Sequence, residues 1–151
     1  MKTKMKSLMQ ILSTFAAAAL FATGAIGADD TAAKAQAPKH KLVMQVSDPD
    51  PMRWNLALNN AENVQEMLGR ANVAIEIVAY GPGIGMLKLD SQASLRIDDA
   101  LKRGVKLVAC EVTMTKQRLT KADMLPNIGY AASGVVEMME KQEQGYSYVR
   151  P

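Results

Sequence analysis

One cysteine, one histidine and one tryptophan stand in this chain of 151 residues, and aromatic residues make up 5% of it. The single cysteine, Cys110, excludes an intramolecular disulfide. In an oxidising compartment a disulfide is the usual reason to keep cysteines, so a lone thiol there points to a reactive group or an intermolecular partner. The single histidine, His40, stands beside a polar lead-in and supports neither a Ser-His-Asp nor a Cys-His arrangement. Cys110 and Met114 are soft ligands for Cu(I) only if both lie on one helix. A strand end at Cys110 separates their directions, and no second Cys-Met pair exists. No metal and no cofactor are therefore expected. Gly81-Pro82-Gly83-Ile84-Gly85 is not a dinucleotide fingerprint, and no Gly-Lys-Ser/Thr follows it. Asp48 and Asp50 alternate with Pro49 and Pro51, so capping and turn formation explain them better than a catalytic carboxylate pair.

The charge balance excludes another class. The chain carries 18 Lys+Arg against 15 Asp+Glu. Lys2, Lys4 and Lys6 crowd the N-terminus ahead of the uncharged, mostly apolar stretch Leu8 to Phe21, and Ala25-Ile26-Gly27 offers small residues for a peptidase. This is the pattern of a secretory signal peptide, residues 1–27, with cleavage expected after Gly27 or Ala28. The apolar stretch is shorter than the roughly 20 residues a spanning helix needs. No cysteine lies near the cleavage site to suggest a lipoprotein. Without those lysines the chain is near neutral, and no basic stripe or aromatic platform follows. Nucleic acid is not an expected partner, nor is a membrane after cleavage. The expected location is a periplasm. Residues 28–39 read as a flexible lead-in of Ala, Lys, Asp, Gln and Pro without apolar period, and residues 40–151 as one domain.

Within that domain strands and helices alternate. Lys41 to Val46 reads as a first strand. Asp50 is a good N-cap and Pro51 a good first residue for a helix running to Leu68. Its inward face is predicted as Trp54, Leu58, Ala61, Val64 and Leu68, and Gly69 stops it. Val73 to Tyr80 is a β-branched second strand, and Gly81 to Gly85 a loop. A helix over Gln92 to Lys102 follows, with Leu95, Ile97 or Asp98, and Leu101 facing inward. Val105 to Cys110 is the third strand, with a helix over Thr113 to Leu119 and a short turn or helix before Pro126. Ile128 to Ala132 is a weak fourth strand. Ser133 caps a helix from Gly134 to about Gln144, predicted to face inward through Val135, Met138, Met139 and Gln142. Tyr146 to Arg150 is a last short strand. The alternation predicts an α/β domain, a three-layer α/β/α sandwich around a mainly parallel sheet of about five strands.

Four stretches taken in order resemble the DsrE/DsrF-like proteins of the sulfur-relay group, with the YchN-like fold. They are Ala57-Leu58-Asn59-Asn60-Ala61-Glu62-Asn63, Ala79-Tyr80-Gly81-Pro82-Gly83, Val108-Ala109-Cys110 with Thr113-Met114, and Ser133-Gly134-Val135-Val136-Glu137 running on to Gly145 through Pro151. The resemblance implies homo-oligomers, often trimers or hexamers, and a strand-end cysteine that carries sulfur as a persulfide. Cys110 matches that position. The signal peptide is a departure, because the characterised relays and their partners work in the cytoplasm.

Cys110 is thus the candidate nucleophile. A helix N-terminus just beyond its strand would lower the thiol pKa, Lys116 and Arg118 would help if they fold back, and Glu111 would oppose. Gly81, Pro82 and Gly83 form either a tight turn or a wall of the same pocket. Asn59 and Asn63, with Asn60, are poor helix-interior residues whose clustering suggests a cap, a subunit contact or a pocket wall. Thr113 and Met114 complete the pocket candidates. Two readings follow. One is sulfur handling through a Cys110 persulfide, with donor and acceptor proteins as partners. The other is a non-catalytic oligomeric binding module in which Cys110 is packing.

Overall fold

The structure, a computed structural model, describes residues 37–151. The expected signal peptide and most of the lead-in lie outside the described residues. Five strands and four α-helices alternate: β1 (His40–Val46), α1 (Pro51–Leu68), β2 (Val73–Ala79), α2 (Ser94–Lys102), β3 (Lys106–Cys110), α3 (Glu111–Lys116), β4 (Gly129–Ala131), α4 (Gly134–Glu143) and β5 (Ser147–Val149). The strands form one sheet in the order β4-β3-β2-β1-β5, and every pairing is parallel. Each step from β1 to β4 moves one place along the sheet. The chain then returns through α4 to the far side of β1. The carboxyl ends of the strands therefore share one rim, where ligand sites of such sheets lie.

Local chemistry accounts for the boundaries. The Asp50 carboxylate accepts from the Met52 N–H at 2.8 Å and Pro51 opens α1, which satisfies one of the helix's orphan donors. Gly69 ends the helix at φ +84°, a conformation that penalises other residues. The Trp54 indole N–H donates to the Asp48 carbonyl at 2.8 Å and ties the helix back to the turn before it.

Side chains of opposite parity go to opposite faces. Leu42, Met44, Ile75, Ile77, Ala79, Leu107 and Ala109 enter the larger core with Trp54, Leu58 and Ala61 of α1 and Ile97 and Ala100 of α2. Burying a side chain such as Leu58 or Ile77 stabilises by roughly 1.5–3 kcal/mol. Val43, Val78, Val108 and Ala131 form a smaller core on the other face with Met138 of α4.

Several sequence expectations change. Leu95 is 82% exposed, and α2 faces the core through Ile97 and Ala100. In α1, Ala57 and Gln65 are buried, whereas Leu68 is exposed. In α4, Val135 and Met139 are exposed, and the buried residues are Gly134 and Met138. Trp54, Leu58, Ala61, Ile97 and Met138 face inward as expected; the remaining positions differ because a short helix offers several equally apolar faces. Gly81 to Gly85 is not a plain loop: 3-10 turns run from Gly81 to Leu87 and bury Ile84, Met86 and Leu87. The third helix starts at Glu111, directly after the strand, so Cys110 itself holds its N-cap position.

Candidate functional site

Cys110 ends β3 at the carboxyl rim, 4% exposed, at the floor of a cleft of about 360 Å³. Tyr80, Gly81 and Pro82 form one wall. Val112, Thr113, Lys116 and Gln117 of α3 and its following turn form another. Ser133 and Val135 close it from the start of α4. Two helix N-termini therefore meet at one sulfur.

Their arrangement is set by specific contacts. The Gly81 N–H donates to Thr113 Oγ1 at 2.9 Å, and Gln117 Nε2 donates to the Gly81 carbonyl at 3.2 Å. With its oxygen occupied as an acceptor, the Thr113 hydroxyl has its proton free for Cys110. On the other side α4 approaches closely because residue 134 is glycine. A Cβ there would lie 3.1 Å from Tyr80 Cβ, 3.2 Å from Cys110 Cβ and 3.3 Å from Val78 Cγ1. Ser133 occupies the N-cap position of α4, but its hydroxyl caps none of the first N–H groups. That departs from the expected cap; the Gly134 N–H, at the first helical position, is not one a Ser133 cap would engage.

Burial pushes the Cys110 thiol up. Hydrogen bonding from the Thr113 hydroxyl and from the N–H groups of Gly134, Thr113 and Val112 outweighs it and holds the thiol below its ordinary 9.0. The Val112 N–H is shared with the Ala132 carbonyl at 3.2 Å, so it adds least. The sulfur makes no full cap bond to α3 in the structure. These donors therefore act chiefly on the charged form, which draws them in. Glu111, expected to oppose the shift, is engaged by Lys121 at 3.6 Å instead.

The other candidates divide. Gly81, Pro82 and Thr113 share the cleft with Cys110. Gly83 is buried behind it, and a Cβ there would meet the Val46 carbonyl oxygen at 2.3 Å, so this glycine serves close packing of the wall on β1. Met114 lies in the larger core and does not line the cleft with Cys110. Asn59 and Asn63 lie on exposed positions of α1 outside the cleft. Asn59 accepts from Arg96 of α2 at 2.6 Å and so ties two helices together. Among the described residues no group of three or more His, Cys, Asp or Glu is placed to hold a metal. No helix there is long and apolar enough to cross a membrane.

A family model matches residues 39–151. The chain belongs to the DsrE/DsrF-like family. Among solved structures it is similar to a protein of unknown function from Methanobacterium thermoautotrophicum, at 29% identity and a TM-score of 0.71, over 74% of this chain and 99% of that one. It is also similar to a conserved protein of unknown function from Bacteroides thetaiotaomicron, at 16% identity and a TM-score of 0.57, over 77% of this chain and 100% of that one. The second likeness bears on the fold alone. No curated protein matches.

Sequence reasoning did not single out Tyr80, Ser133 or Gly134 as site residues. Only Gly134 carried a local signal. A glycine in the first helical turn adds no propensity there, which suggests that something packs against its backbone. A second cleft, of about 320 Å³, is lined by His40, Leu42, Leu68 and Ser147 at the opposite end of the sheet, away from Cys110.

Proposed function

We propose that this DsrE-family domain handles sulfane sulfur through Cys110, as an exported, periplasmic protein. The observation that carries the reading is a near-buried thiol at the strand rim whose surrounding donors favour the thiolate. The Cys110 thiolate attacks the sulfane sulfur of a donor R–S–SH. The donor's S–S bond breaks, R–S⁻ leaves, and Cys110 becomes the persulfide. An acceptor thiolate then takes the outer sulfur and Cys110 departs as thiolate. The cleft has room for that extra sulfur. No cofactor enters these steps.

Self-association in trimers or hexamers belongs to the same proposal. The outer face of α4 and the edge strand β5 leave Val135, Val136, Met139, Tyr148 and Val149 exposed, and an uncovered edge strand beside apolar residues favours pairing with another surface. Light scattering on the purified protein reports the oligomer, and a monomer at micromolar concentration would remove this part. Donor and acceptor proteins remain to be captured on the persulfidated form.

The function is tested by intact mass after incubation with a polysulfide donor. A gain of roughly 32 Da, reversed by reductant and absent in Cys110→Ser, is expected. No gain in the wild type would leave Cys110 as packing and favour a binding module. Export is tested by fractionation and by N-terminal sequencing of the secreted form; a cytosolic, full-length product would refute it.

A further inference from the structure

Glu76 is the one charged side chain fully buried among the described residues, 2% exposed in the middle of β2 on the α4 face. Lys141 of α4 sits over it with Nζ 2.8 Å from one carboxylate oxygen and 3.3 Å from Glu137 of the same helix. The other Glu76 oxygen has no hydrogen-bond partner. The remaining charged groups around the pair are Lys106 of β3, the register neighbour of Glu76, and Lys41 of β1, whose ammonium shares the Tyr146 ring with Lys141.

The two partners give opposite signs for the value of this pair. Burial raises the Glu76 carboxyl above its ordinary 4.5 despite Lys141, whereas the carboxylates hold the Lys141 ammonium above its ordinary value despite burial. A fully buried carboxylate with one bare oxygen bears the desolvation cost directly. A buried pair of this kind contributes little net stability, and its best-attested use is to specify a geometry.

That geometry is the seat of α4. Gly134, Met138 and Lys141 fall at i, i+4 and i+7, so they form the stripe that meets the sheet. Met138 grips the small core without direction. Glu76–Lys141 at one end and the close fit of Gly134 at the other are directional. Along β2 and the residue that follows it, Glu76, Val78 and Tyr80 share a face, so the ion pair and the Cys110 cleft lie along one line under one helix. We infer that Glu76 and Lys141 are positioning residues for Cys110: their pair sets α4 along its axis so that its first turn, at Gly134, stands against the thiol-bearing residue. A slip of one residue is a shift of about 1.5 Å and a turn of about 100°, enough to withdraw the Gly134 N–H and drive a side chain against Tyr80 and Cys110.

The inference rests on Cys110 as the working group, yet its test reads the thiol and not sulfur transfer. The ultraviolet absorbance of the thiolate is followed against pH in the purified secreted protein, with Cys110→Ser as the blank. One cysteine makes the signal unambiguous. Lys141→Met is expected to move the midpoint upward and to lower the thiolate fraction at neutral pH about tenfold or more, the loss of one hydrogen bond to a charged group, with the circular dichroism retained. Lys141→Arg, which keeps the cation, is expected to restore most of the wild-type midpoint. If Lys141→Met does not fold, the apolar replacement Glu76→Leu/Lys141→Met is expected to fold and to show the same upward shift, because it lacks the directional pair. An unmoved midpoint in whichever variant folds would overturn the inference and leave the pair structural. A wild type with the low midpoint that takes up no sulfur would instead fail the function proposed above and leave this one standing.

Discussion

Under α1 and α2, the central strands of the sheet present Leu42, Met44, Ile75, Ile77, Leu107 and Ala109; under α4, the alternate residues of the same strands are Lys41, Val43, Gln45, Glu76, Val78, Lys106 and Val108, with Cys110 at the end. The first face is uniformly apolar and doubly covered. The second carries one helix, an ion pair and the thiol. Apolar burial is non-directional and tolerates sliding, so it suits a face that has only to hold. Ion pairs and hydrogen bonds demand geometry, so they suit the face that places a reactive group. Stability is concentrated on one side of the sheet and chemistry on the other.

The largest expected effect lies on the first face. Ile77→Ala should cost about 3–4 kcal/mol in urea unfolding, whereas Met138→Ala, in the smaller core, should cost about 2. Equal or reversed losses would break the contrast. Glycine substitutions sharpen it. Gly83→Ala places a Cβ 2.3 Å from the Val46 carbonyl oxygen, a backbone atom that cannot step aside, and should destabilise by about 3 kcal/mol or more. Gly134→Ala meets contacts of 3.1–3.3 Å and should cost about 1 kcal/mol by the same measurement. The order inverts for thiol labelling, which Gly134→Ala should slow and Gly83→Ala should leave nearer to wild type.

Labelling of Cys110 should rise with pH and reach half its maximum below 9.0. Thr113→Val should slow it about tenfold or more at neutral pH, and an unchanged rate would remove the hydroxyl from the site. A subtler effect concerns Glu76. Its folded value is raised, so its contribution to stability is present below the ordinary 4.5 and is lost as pH rises through the folded value. Against Glu76→Gln, which does not titrate, the wild type should lose ground in urea midpoint from mildly acidic to neutral pH. A gap that is constant with pH would contradict the raised value. Smallest of all, Asp98→Asn removes the exposed pair with Lys102 at 2.6 Å and should leave the midpoint unchanged, because solvent and mobility cancel such pairs.

Much of this architecture was legible along the chain. Short apolar runs marked β1 and β3, and a β-branched run marked β2. Asp50-Pro51 and Gly69 bounded α1, and Cys110 stood out at a strand end. The helix faces were less legible: Leu95, Val135 and Met139 are apolar yet point outward, because six to ten residues define a stripe poorly. The cleft was legible in part. Gly81, Pro82 and Thr113 joined Cys110, and Asn59, Asn63 and Met114 did not.

The sequence by itself determined the alternation of strand and helix, the parallel sheet and the placement of the lone thiol at a strand's carboxyl end. These follow from local propensity and from side-chain period, which a few neighbouring residues settle. The strand order, the burial of Glu76 beneath Lys141 and the meeting of Gly134, Tyr80 and Thr113 at Cys110 were decided only by the tertiary structure. Each joins residues far apart in sequence, and such a pairing is chosen by the packing of the whole sheet, not by the chain on either side of it.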